Sequence, residues 1–403
     1  MATGFRRARR GLATRLVGGL LGVVVAGALI VSMQLPLLHP RSQARLTMTP
    51  WPTSAAPALA WPSVGSAALD IPSLHVLRTH ADHVVPIASL TKMMTAYVTL
   101  KRLPLAMNQS GPCVDVTSSD VQTYDSMNQQ GESSVPVVVG EQLCEFQLLE
   151  GLLVHSAGNY AVMLANLVGG TQDNFITLMN DQASALGLTM THYADVSGFS
   201  PLSVSTARDQ ATLAVLLMKS PLIRSIVIQP SVDLPVAGVE GSFTPYVGID
   251  HVIGVKSGRT SEAGGCDVLA MTFQVGTKTR VLYAVVLGAR GGDLLGPAGD
   301  YALALADTAV ANQIQHVLAR GTLVARVGWD GHETVAVTAR AVVISWWAAK
   351  GQPRLVVHWR SFTHAIRRGE RVGTLQIEGT SSVRVPLVAS RRVAPATLLQ
   401  RLR

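Results

Sequence analysis

Hydrophobic and polar positions divide the chain into stretches of different rhythm. Leu16 to Leu35 carries no charged side chain over about 20 residues, the length that spans a bilayer. Residues 39–65 change character, with Pro40, Pro50, Pro52, Pro57 and Pro62 set among Ser, Thr and Ala, the composition of an extended, exposed tether. Short runs from Ala67 to Ile71 and from Leu74 to Arg78, separated by Pro72-Ser73, predict a β-hairpin. Helical patterning follows in Pro86–Tyr97, Leu148–Val168, Phe175–Leu186 and Thr206–Met218. Strand patterning returns in Val268–Val275 and Arg280–Leu287, before a last helix from Leu294 to Val310. Strands at both ends with helices between them predict one antiparallel sheet assembled from distant segments. From Ile314 the rhythm becomes alternating throughout: 322–327, 334–337, 341–347, 355–359, 372–377 and 383–388 read as strands of a small all-β domain.

The expected architecture is therefore α+β. An N-terminal signal anchor or signal peptide covers 1–38, a Pro-rich linker 39–65, a catalytic domain 66–313, a C-terminal β domain 314–390 and a basic tail 391–403. A chain of 403 residues exceeds what one core usually organises, and 48% apolar against 14% charged residues excludes a disordered class. The net charge of +8 is concentrated at the ends, in Arg6, Arg7, Arg9, Arg10 and Arg15 and again in Arg391, Arg392, Arg401 and Arg403. The first group, placed before Leu16, directs the remainder of the chain to the extracytoplasmic side. Small residues at Ala26-Gly27-Ala28 fall inside the apolar run rather than after it, which favours an uncleaved anchor over a cleaved signal peptide. No basic stripe with interleaved aromatics occurs, so nucleic acid is not an expected partner.

Candidate chemistry begins in the Pro86–Tyr97 run. Ser89 and Lys92 are three residues apart, so a helix would put hydroxyl and amine on one face. Ser89 would sit at the helix N-terminus, where free N–H groups favour developing negative charge, and a buried lysine loses proton affinity and can serve as a base. Ser156 lies at the junction of two apolar segments, with Asn159 close behind. Lys256-Ser257-Gly258-Arg259-Thr260 offers a charge, hydroxyls and a side-chain-free backbone approach, suited to a substrate carboxylate.

In the order S-x-x-K, Ser with a nearby Asn, and K-S-G, these motifs resemble the signature of penicillin-recognising serine enzymes. Over roughly 65–390 the chain resembles a serine D-alanyl-D-alanine carboxypeptidase, a low-molecular-mass penicillin-binding protein. The resemblance is carried by Ala88–Thr95, by Thr206-Ala207-Arg208-Asp209, by Val255–Thr260 with Ala263-Gly264, and by Leu186-Gly187-Leu188, Thr191-His192-Tyr193 and Ser197-Gly198. It implies a β-lactamase/penicillin-binding transpeptidase-like fold followed by the β domain. It implies Ser89 as nucleophile, Lys92 as base, Ser156 as proton relay, and backbone N–H groups of Ser89 and Arg259 as oxyanion hole. Lys256 and Ser257, with Thr260, would hold the terminal carboxylate, and Gly258, Arg259 and Asn159 would also belong to the substrate-binding set. Peptidoglycan stem peptides would be substrates, β-lactams covalent inhibitors, and no metal or cofactor would be needed. The enzyme would work outside the cell, membrane-anchored or wall-associated.

The pattern departs from the family in two places. The family's asparagine lies two residues after the motif serine, where this chain has Gly158, leaving Asn159 as the candidate for the substrate contact. Phe243–Val247 lacks the asparagine usual before Lys256. A β-lactamase-like hydrolase would need a carboxylate for deacylation, and 189–205 offers only Asp195. A catalytically silent wall-binding or β-lactam-binding protein would lose one of the groups that are all present here. Of three cysteines, Cys113 and Cys144 are a candidate pair and Cys266 reads as buried. Trp346, Trp347 and Trp359 are read either as a docking surface or as core.

Overall fold

The computed structural model describes residues 45–48, 51, 58–275, 278–329, 332–348, 351–360, 362, 364–379 and 382–394. The Leu16–Leu35 run and residues 395–403 lie outside them. Among the described residues no single helix is long and apolar enough to cross a membrane.

The expected antiparallel sheet is present, with five strands in the order Val252–Thr260, Gly264–Val275, Lys278–Ala289, Ser66–Ile71 and Val76–His80. Both faces are covered, and the two-residue period of a strand sorts its side chains between two cores. Ala67, Leu69, Ile71, Leu269, Met271, Ala284 and Val286 pack with Ala298, Ala302, Leu305 and Ala306 of the helix Leu295–Ala311. Ala68, Val268, Ala270, Val285 and Leu287 face the helical layer, against Ile87, Leu90 and Met93. This double burial makes the central strands read as continuous apolar runs rather than alternating ones.

The helical layer differs from the sequence expectation in one respect that matters for the site. The apolar stretch Leu148–Val168 is two helices, Glu145–Leu153 and Gly158–Gly169. Ser156 lies in the break and adopts φ 63°, a left-handed conformation incompatible with a continuous helix. The polar helix Ser118–Gln130, invisible to apolar periodicity, is started by a capping box in which Thr117 and Asp120 satisfy each other's backbone N–H groups. Cys113 and Cys144 are opposite residues of a short strand pair and form a disulfide, while Cys266 is buried and free.

The C-terminal part is all-β. A six-stranded sheet runs in the order Arg45–Leu46, Leu323–Trp329, His332–Thr338, Ser382–Ala389, Arg371–Glu378 and Arg354–Trp359, beside the pair Gln313–Leu318 and Val342–Trp347. Its first strand and Trp51 depart from the exposed tether expected over 39–65 at the positions the structure describes there. Arg45 and Leu46 pair with Arg326 and Ala325, and Trp51 is buried against Trp346, its indole N–H donating to the Pro353 carbonyl at 3.2 Å. Burying an indole with its N–H satisfied outweighs the extended, solvated state that proline-rich composition favours. Trp346 and Trp347 likewise fill cores. Trp347 packs with the Leu295–Ala311 helix and donates to the Ala309 carbonyl at 3.0 Å, joining the β domain to the catalytic domain.

Candidate active site

The nucleophile turn is built by close backbone approach. Ala88–Leu90 is one 3-10 turn leading directly into the helix Thr91–Arg102, whose face of Met93, Met94, Ala96 and Val98 is buried. Ala88 has φ 47°, and its carbonyl is met by Gly198. A Cβ at residue 198 would overlap that carbonyl, and Gly198 itself has φ +85°, so only glycine fits. Gly258 has a similar duty on the other side: a Cβ there would lie 2.5 Å from the Ser89 nitrogen and 3.1 Å from its Cα. The Val252–Thr260 strand therefore touches the nucleophile backbone without a side chain between them.

Lys92 is fully buried, with Nζ 3.0 Å from Ser89 Oγ and donating to the Ser197 carbonyl at 2.8 Å. Burial lowers its proton affinity from the ordinary lysine value, against opposing attraction from Glu132 and Asp195. Lys256 is also fully buried and is lowered further, by desolvation first and then by the charge of Lys92. Its Nζ donates to the Ser257 carbonyl at 2.8 Å. The neighbouring buried carboxyl of Asp267 is pushed well upward by desolvation, so burial drives both groups toward neutrality. Ser156 Oγ is buried and has no hydrogen-bond partner among the described residues. A small pocket joins Ser89, Ser156, Ser257, Gly258 and Arg259, and it opens beside a cleft of about 720 Å³ that also contains Ser89, Glu132, Arg259 and Thr260.

A family model described as D-alanyl-D-alanine carboxypeptidase matches residues 65–291, more than half of the chain. The chain belongs to the D-alanyl-D-alanine carboxypeptidase family. It is 33% identical over 202 residues to a D-alanyl-D-alanine endopeptidase of Pseudomonas aeruginosa, covering 48% of this chain and 61% of that protein. It is 35% identical over 140 residues to the D-alanyl-D-alanine carboxypeptidase DacC of Escherichia coli, covering 34% of this chain and 35% of that protein. These matches thus span less than two thirds of the relatives' own lengths. The fold is also that of the D-alanyl-D-alanine carboxypeptidase DacD from Francisella tularensis, at 18% identity and TM-score 0.59, over 86% of this chain and 98% of that one. The Streptomyces K15 DD-transpeptidase shares the fold at 23% identity and TM-score 0.53, over 63% of this chain and 98% of that one.

Against this family pattern, the structure brings Ser89, Lys92, Ser156, Ser257, Gly258 and Arg259 together but not Asn159. The Asn159 amide is buried and committed to Val135, accepting from its N–H at 3.1 Å and donating to its carbonyl at 2.8 Å. The sequence expectation of a substrate contact from Asn159 is corrected on that ground: one residue further along a helix points about 100° away from the site. Lys256 has no exposed surface, and its amine lies behind Ser257 rather than lining the pocket. Ser257 Oγ donates to the Phe243 carbonyl at 2.7 Å, Thr260 Oγ1 accepts from the Ala263 N–H at 3.0 Å, and Arg259 donates to the Asp293 carbonyl at 2.9 Å. His155, next to Ser156, packs on Phe243 and binds the Gly241 carbonyl, as a positioning group would.

Two residues that the motif reading did not place at the site emerge here. Asp195 accepts from Ser197 Oγ, from Ser203 Oγ and from the N–H groups of Gly198 and Phe199. It holds the loop whose Ser197 carbonyl meets Lys92. Glu132 enters the cleft from the loop after Ser118–Gln130. No motif flags it, because only tertiary packing brings it near Ser89.

Proposed function

We propose that this protein is a serine D-Ala-D-Ala carboxypeptidase of the bacterial cell wall, and that peptidoglycan stem peptides are its substrates. The observation that carries the reading is the buried Lys92 amine, depressed in proton affinity and 3.0 Å from Ser89 Oγ at the mouth of an open cleft. In this scheme Ser89 Oγ attacks the penultimate D-Ala carbonyl while its proton passes to Lys92. The tetrahedral oxyanion is held by the N–H groups of Ser89 and Arg259, donors worth roughly 2.7–4 kcal/mol each in comparable enzymes. Ser156 relays a proton to the departing amine, the C–N bond breaks, and D-alanine leaves with its carboxylate guided by Ser257, Gly258, Arg259 and Thr260. Water then attacks the ester, returning the proton to Ser89.

β-Lactams would stop at the ester and label Ser89. The Leu16–Leu35 run, with its preceding arginines, would anchor the enzyme and leave the catalytic domain outside the membrane. The test is release of D-alanine from a diacylated D-Ala-D-Ala peptide by the purified protein. Release abolished in S89A and nearly so in K92A is the expected result. Release retained in S89A refutes the reading.

A further inference from the structure

Gly158, Asn159 and Glu132 form one connected arrangement. Gly158 stands where the family pattern has an asparagine, and a Cβ built on it would overlap the Glu132 carboxylate and lie 2.9 Å from Glu132 Cδ and 3.1 Å from the Ser133 carbonyl. The loop that delivers Glu132 is pinned to the same helix start. The Gly158 N–H donates to the Ser133 carbonyl at 2.7 Å, and Asn159 brackets Val135 on both its backbone groups. At the other end the Glu132 N–H donates to the Met127 carbonyl at 2.9 Å. Glu132 Oε1 is buried with no hydrogen-bond partner among the described residues, although the residue lines the cleft that holds Ser89. That oxygen is closed off against Gly158, and it is through the remainder of its side chain that Glu132 lines the cleft.

Building on the acyl-enzyme reading, we infer that Glu132 takes the place of the missing motif amide and is a specificity-determining residue. The chemistry of the replacement decides the preference. A side-chain amide offers both N–H donors and a carbonyl acceptor, whereas a carboxylate only accepts. The site therefore favours acyl donors that bring an N–H to this point beside the reacting carbonyl, and it penalises those that bring a carbonyl oxygen. Gly158 supplies the room and Asn159 the anchorage, so the missing motif asparagine and the asparagine beside it belong to a single rearrangement.

The test compares acylation of the purified protein by benzylpenicillin, whose side-chain amide presents a carbonyl, and by 6-aminopenicillanic acid, which carries only an amine there. Glu132→Gln restores a donor in nearly the same volume, Glu132→Ala removes both functions, and Glu132→Asp keeps acceptor-only chemistry. The ratio of benzylpenicillin to 6-aminopenicillanic acid acylation rates rises about tenfold in E132Q, as one gained hydrogen bond implies, rises less in E132A and stays near wild type in E132D. A general structural or electrostatic effect would move both rates together. An unchanged ratio in E132Q, or an equal rise in E132A, overturns the inference while leaving the acyl-enzyme intact. Failure of both compounds to acylate wild-type protein overturns the acyl-enzyme reading itself, and this inference with it.

Discussion

Substituting Gly258 by alanine tests whether the approach of the Val252–Thr260 strand to the nucleophile sets the geometry of catalysis. The added Cβ would lie 2.5 Å from the Ser89 nitrogen and 3.1 Å from both its Cα and its Cβ, and all three atoms belong to the nucleophile itself. Ordinary contact would require one of the two segments to retreat by about 1 Å. The strand is held by the ladder pairing Gly258 with Cys266 and Arg259 with Gly265, so part of that retreat must be taken by Ser89. A displacement of about 1 Å in a reacting group costs on the order of 10²-fold in rate, and overpacking costs about 1–3 kcal/mol in stability. We expect G258A to acylate with labelled penicillin about a hundredfold more slowly while keeping a cooperative thermal transition a few degrees lower. Gly241, where a Cβ would meet nothing within 4 Å, is the control, and G241A should match wild type. Wild-type acylation in G258A would refute the reasoning.

Other expectations follow from single contacts. Asn159→Ala leaves two buried backbone groups of Val135 unpaired, so it should lower unfolding free energy by roughly 1–3 kcal/mol per group, measured by denaturant titration; stability unchanged with turnover reduced would instead favour a substrate contact. Trp51→Ala should destabilise the β domain by about 3–5 kcal/mol in the same assay, and a null effect would show that the segment is undocked. Breaking the Cys113–Cys144 disulfide, which spans a sequence separation of 31, should cost about 3–4 kcal/mol, read as a lower melting temperature under reducing conditions. Lys92 must be neutral to accept the Ser89 proton, and burial lowers its pKa, so acylation should rise with pH and level off below the ordinary lysine range. The unfolded state binds the proton more tightly, so Lys92 makes stability increase with pH between its folded and unfolded pKa values, a slope that K92M should reduce in pH-dependent melting.

The parts legible in the sequence are those set by local geometry. Ser89 and Lys92 lie one helical turn apart, so spacing alone brings them together. The Lys256–Thr260 strand is identified by its apolar neighbours and its glycine. The five-stranded sheet is legible because its strands lie in strongly apolar segments at the two ends of the catalytic domain. Three features were not legible because long-range packing decides them. Trp51 is indistinguishable in sequence from a tether residue until Trp346 and Pro353, distant in the chain, provide its pocket. Asn159 looked like a displaced ligand because its true partner, Val135, lies on another loop. Glu132 carries no motif, and only the packing of its loop against Gly158 brings it to the cleft.

The central claim is that Ser89, activated by Lys92, forms a covalent acyl-enzyme. Mass spectrometry of the protein after incubation with benzylpenicillin, followed by peptide mapping, addresses it most directly. The account predicts one added penicilloyl group per chain, located on Ser89, absent in S89A and formed far more slowly in K92A. An adduct on another residue, or a full-rate adduct in K92A, would contradict it.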